Sequence, residues 1–183
     1  TGVAAYGVVA NTSLVAVALF NGIAQGSQPL ISRSYGRGEE QNVRSLLKMA
    51  LTTALGLGVL LMIFIFFSAP AVTAVFNSEH DLQLAAYADS GLRLYFIGFL
   101  FAGINIVGTA ALSAVESVKY AFCASISRGF VATIFFAFVL SACFKMTGIW
   151  LAFPAAEFAT MFITLSGLLC FTKQKGGMYH AKD

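Results

Sequence analysis

Glu157 lies inside the apolar run WLAFPAAEFATMFITLSGLL. An ionised carboxylate is costly to bury in such a segment, so this position is expected to bind a proton, pair with a base or face water. Thr160 and Thr164 follow at i+3 and i+7, which sets two hydroxyls on the same helical face, where they can share a proton or ion with it. A second constellation stands near the start of the chain. Asn21, Gln25, Gln28 and Ser32 fall at i, i+4, i+7 and i+11, one polar stripe along a helix. Hydrocarbon cannot satisfy carboxamides, so the stripe should face other helices or water. Asn105, Gly108, Thr109 and Ser113 form a third small and polar face, suited to a helix interface or a cavity wall. Ordinary helix packing accounts for the two stripes as well as a pathway does, and a protonated or water-exposed structural role remains open for Glu157.

Other reactive side chains point nowhere in particular. Cys123, Cys143 and Cys170 are an odd number, all in apolar runs without metal-ligand spacing, and are expected to be small core residues. His80 stands between Glu79 and Asp81 in a connector and is expected to be exposed, with no metal site. Arg128 falls about two turns inside an apolar stretch, where an arginine can snorkel to the headgroups. No enzyme chemistry, resident cofactor or nucleic-acid binding is indicated.

The elements that must position these groups are membrane helices. Of 183 residues 58% are hydrophobic and 10% charged, with a mean hydropathy of +0.83, far from the balance of a soluble domain. The charges cluster, leaving uncharged runs at residues 1–32, 49–78, 94–115, 129–144, 146–156 and 158–172. A crossing needs about 20 apolar residues. The chain is therefore expected to be all-α, a polytopic membrane bundle of five transmembrane helices over about residues 3–31, 49–69, 94–115, 121–144 and 149–172. It opens on Thr1-Gly2 with no initiator methionine or basic leader, as expected of a piece of a longer chain.

Within these spans, Gly22 and Gly26 are spaced to let a neighbouring backbone approach closely, and Pro29 removes a helical donor. A bent, closely packed helix end is expected there, with Gly26 and Pro29 as candidate hinge points. Pro70 is expected to end the second span, and Asn77 to Arg93 to form a connector in which Asp89 and Arg93 can pair at i, i+4. Most of the 11 basic residues fall after the first and third spans and in the tail; only Arg93 and Lys145 follow the second and fourth. The positive-inside rule then places the C-terminus in the cytoplasm and the N-terminus outside.

The segment GIAQGSQPLISRSYGRG, with Gly26, Gln28, Pro29, Ser32, Tyr35 and Gly36, resembles the end of the eighth helix of multidrug and toxin extrusion (MATE) transporters. Gly148, Trp150, Pro154 and Glu157 are similar to the last helix of many bacterial members. The resemblance implies helices eight to twelve of a twelve-helix, two-lobe transporter in the bacterial inner membrane. It further implies an N-terminal lobe as partner, and export of small organic cations in exchange for Na+ or H+ through a cavity between the lobes. In sodium-coupled members a cation-binding acid lies in the helix matched by the third span, where this chain has Ala102, Gly103 and Asn105; Asn105 could still offer a carbonyl. On these grounds Gln25, Gln28, Asn105, Glu157 and Thr160 are the expected pathway residues. A flippase for lipid-linked sugars and a non-transporting membrane subunit are the alternatives.

Overall fold

A bilayer offers the backbone no hydrogen-bond partner but itself, so each apolar run closes into helix. The computed structural model describes residues 2–77 and 81–179. Its helices are α1 (Gly2–Gly36), α2 (Glu40–Phe76), α3 (Leu82–Ile97), α4 (Phe99–Ala114), α5 (Val118–Ile126), a π-helical turn (Ser127–Val131) and α6 (Ala132–Tyr179). His80 and the last four residues lie outside the described residues.

These elements make five crossings. α1 and α2, at 35 and 37 residues, each exceed the roughly 20 needed for one. α3 and α4 form one span bent by 44° at Gly98. The 55 residues from Val118 to Thr172 would extend roughly 80 Å as a straight helix, far more than a bilayer. They fold back at Lys145, whose φ of 52° and ψ of −125° are non-helical. Ser127 meets Thr160 and Tyr120 packs on Gly167, so the two limbs run antiparallel.

The boundaries differ from expectation in several places. α2 runs through Pro70 to Phe76, and α1 runs unbroken through Gly26 and Pro29 to Gly36. A proline in a membrane helix leaves a single carbonyl without its donor, too little to end a helix held on both sides by packing. The segment read as a connector is helical from Leu82, because Asp81 caps it by accepting from the backbone N–H of Gln83 and Leu84 at 2.8 and 3.2 Å. Asp89 and Arg93 do pair, at 3.1 Å. Gly22 and Gly26 take no part in close packing: a Cβ on either would meet nothing within 4 Å.

The core is built from small residues and a few rings. Ala16, Ala54, Ala69, Ala88 and Ala102 are buried with Phe20, Phe96, Phe99 and Trp150. Small side chains let helices approach where lipid supplies no hydrophobic drive between them. At the bend, a Cβ on Gly98 would fall 2.5 Å from the Phe153 ring, which itself stacks on Tyr95 at 4.2 Å. Large apolar side chains, Phe64, Phe67, Phe135 and Phe138 among them, point outward. Cys123 and Cys143 are exposed on this apolar exterior and Cys170 is half-buried, so the cysteines are not core residues. Helices with one face bare of polar groups have no need to bury it when the solvent is lipid.

Candidate functional site

The bend and the hairpin bring α4 and the two limbs around Lys145 together at Glu157. Its residue is only 2% exposed. Oε1 accepts from Arg128 Nε at 2.6 Å, and Oε2 accepts from Asn105 Nδ2 at 2.7 Å. Asn105 also donates to the Glu157 backbone carbonyl at 2.8 Å, while its own Oδ1 accepts from the Thr164 hydroxyl at 2.9 Å. A carboxylate removed from water is tolerable only when paired and hydrogen-bonded, and here both oxygens are engaged.

Local structure explains each placement. Asn105 and Gly108 lie on one face of α4, and the missing side chain at Gly108 lets Thr164 come in: a Cβ there would fall 2.5 Å from Thr164 Cγ2. Arg128 occupies the π-helical turn, whose wider ring is closed by the Ala132 N–H bonding back to the Ser127 carbonyl. Thr133 donates to the Arg128 carbonyl at 2.6 Å, five residues back. Such single-turn π segments inside α-helices recur at functional sites.

In front of this network lies a cleft of about 570 Å³. Asn21, Gln25 and Gln28 of α1 form one wall, Thr109 and Ser113 of α4 another, and Ser125, Arg128, Thr133 and Glu157 the third. The polar stripe of α1 thus does line this cleft, except Ser32, which is exposed outside it. Asn105 and Thr160, both fully buried, sit behind the wall. Thr160 pairs with Ser127 at 3.1 Å and not with Glu157, contrary to the hydroxyl sharing expected from its spacing.

Comparison with known proteins bears on what this arrangement belongs to. The MatE family model matches residues 1–139. The chain belongs to the MATE family. It is therefore a multi-pass membrane protein of a transporter family. Among solved structures, it is similar to an outward-facing multidrug resistance MATE transporter of the MOP superfamily, with a TM-score of 0.87 at 16% identity over 95% of this chain. It is also similar to an inward-facing one, with a TM-score of 0.83 at 16% identity over 94% of this chain. A MOP superfamily transporter from Pyrococcus furiosus, described as having a binding pocket of reverse polarity, gives a TM-score of 0.84 at 16% identity over 94%. The chain spans about 39% of each of these three structures. Among curated proteins, none matches.

Within this MATE fold, the charged residue that sequence reasoning misplaced is Arg128. It turns inward onto Glu157 instead of outward to the headgroups. Arg128 and Glu157 are the charged residues inside the last two spans, and a buried carboxylate needs a base. What the sequence lacked was the register, which the break at Lys145 supplies.

Proposed function

We propose that this chain is the C-terminal-lobe portion, helices eight to twelve, of a bacterial secondary active antiporter that exports organic cations in exchange for Na+ or H+. The observation that carries the reading is Glu157, an ionisable group in the membrane interior, on the wall of a polar cleft. Such groups are rare in membrane helices and mark ion and proton pathways. Gln25 and Gln28 form the facing wall and contact the cargo, and Asn105 and Thr160 fix the helices that carry Glu157.

Coupling needs two states and a ligand that prefers one of them. Ion binding at Glu157 supplies the preference, and the lobes supply the states, moving about the central cavity. Two structural neighbours are described as inward-facing and outward-facing, which supports two such arrangements in related proteins. The N-terminal lobe of the same transporter is the partner that closes the cleft opposite α1, with Gly26 and Pro29 as the deformable points of that helix. The distribution of Lys and Arg favours a cytoplasmic C-terminus in the inner membrane even with Arg128 removed from the count. A lipid-linked sugar flippase would hold phosphate with free cations. Among the described residues Arg128 is the cation lining this cleft, and it is bound to Glu157.

The test is efflux of a fluorescent organic cation from proteoliposomes holding the full-length transporter, with sodium and proton gradients imposed separately. Efflux under one gradient, lost in Glu157→Gln, is the expected result. Efflux of Glu157→Gln equal to wild type, with unchanged pH dependence, would remove Glu157 from the mechanism.

A further inference from the structure

Arg128 and Glu157 stand in an unusual relation for an ion pair in a membrane. The carboxylate is walled in, with 3% of its side chain exposed, whereas the arginine side chain is 31% exposed and opens on the cleft. One partner is fixed from both sides, by Asn105 and by its own helix; the other is held through Nε alone. Apart from these two, no charged side chain lines the cleft among the described residues.

The arginine also rides on the most adjustable backbone in the hairpin. The π-helical turn holds one more residue per ring than an α-helix would, and a return to α-helix shifts the register of the residues beyond it. Gly129 beside it has open space around it, since a Cβ there would meet nothing within 4 Å. Arg128 and Gly129 both line the cleft, so a guanidinium that leaves Glu157 has a polar space beside it in which water can solvate its charge.

We propose that Arg128 is a tethered competitor for Glu157: it occupies the carboxylate in the resting state and must leave before a free monovalent cation can take its place. This rests on the reading of Glu157 as the coupling residue. On release, the cation meets Glu157 Oε1, the oxygen that Arg128 gives up, on the wall of the cleft. The guanidinium simultaneously enters the cleft and opposes the organic cation there. Ion and cargo are thereby kept from occupying the lobe together, which is what exchange requires.

Apparent affinity scales with the fraction of protein in the binding-competent state. If Arg128 covers Glu157 in nine molecules of ten, its removal lowers the half-saturating ion concentration about tenfold. The experiment uses the full-length transporter in proteoliposomes, titrating Na+ in one arm and pH in the other, with Arg128→Gln and Arg128→Lys. The expected result is a fall of about tenfold or more for Arg128→Gln in the arm of the driving ion, with Arg128→Lys remaining nearer to wild type. An unchanged or raised half-saturation in both arms would overturn the proposal. Because Arg128→Gln leaves a buried carboxylate unpaired, a measurement on the wild type accompanies it. Phenylglyoxal modification of Arg128 is followed by mass spectrometry against a free arginine standard, with and without the driving ion. Faster modification with the ion is expected; an equal or slower rate overturns the proposal. Glu157→Gln separates the two ideas: if it keeps ion-driven efflux, the coupling reading fails, and if it loses efflux while Arg128 responds to nothing, only the competitor fails.

Discussion

Asn105 holds Glu157 at two points, donating to its carboxylate at 2.7 Å and to its backbone carbonyl at 2.8 Å. One carboxamide on α4 therefore fixes both the side chain and the helix that carries it. On the helix where the resemblance implies a cation-binding acid in sodium-coupled relatives, Asn105 is here a clamp on a different acid. Its Oδ1, the atom expected to serve as an ion ligand, is taken by Thr164.

Asn105→Leu keeps the volume near that of the carboxamide and removes both donors. It is expected to destabilise the full-length transporter by about 1–3 kcal/mol, the cost of leaving buried acceptors unpaired. Thr164→Val, which removes one neutral hydroxyl donor shared between Asn105 Oδ1 and the Thr160 carbonyl, should cost about 1 kcal/mol. Thermal unfolding in detergent orders the two variants, and an equal effect would show that the clamp is not the main restraint.

Gly98→Ala drives a methyl group into the Phe153 ring and toward the Pro154 backbone. Overpacking of this kind costs about 1–3 kcal/mol. Pairing it with Phe153→Leu should recover part of the loss, since neighbouring sites are not additive. A double-mutant cycle on melting temperature reads the coupling.

Gly26→Ala is expected to behave oppositely. With open space around the position and a helical backbone, it should stabilise α1 by up to about 1 kcal/mol. If Gly26 is a point at which α1 deforms, the same variant slows efflux while raising the melting temperature. Unaltered efflux in the stabilised protein would dismiss the hinge.

Asp81→Ala removes the acceptor for two backbone N–H groups at the start of α3, a loss of about 1 kcal/mol. Hydrogen exchange should rise at Gln83 and Leu84 and stay unchanged on α4. Uniform loosening of both helices would mean that α3 and α4 unfold as one unit.

Much of this fold was legible because bilayers constrain chains so tightly. Clustered charges and six uncharged runs, the last two parted only by Glu157, leave few alternatives to five crossings. The helix ends were harder to see. Leu82 to Arg93 reads as a connector because Asp89 and Arg93 interrupt the apolar run, yet the two neutralise one another within the helix. Pro29 and Pro70 read as breaks because propensities from water overstate their effect where packing and lipid hold the helix. At the site, Glu157 and the Gln25 to Gln28 stripe were visible from residue type alone. The partner of Glu157 was not, because pairing across a hairpin depends on where the turn falls. Gly22 and Gly26 mislead for a related reason: the spacing permits a close approach without saying that one occurs.

The antiparallel hairpin also bears on how the chain enters the membrane. Inserted singly, the span after Val118 would bring an unmatched arginine into hydrocarbon, and the span after Lys145 an unmatched glutamate; translocation scales assign Arg and Asp about 2.5–3.5 kcal/mol each at a helix centre, and these two, about two turns inside their spans, cost less than that. Because the two limbs are joined by a break at one residue and register Arg128 against Glu157, they can leave the insertion machinery together as a neutral unit. Inserted as a pair, the last two crossings would avoid placing either charge alone among the lipid tails.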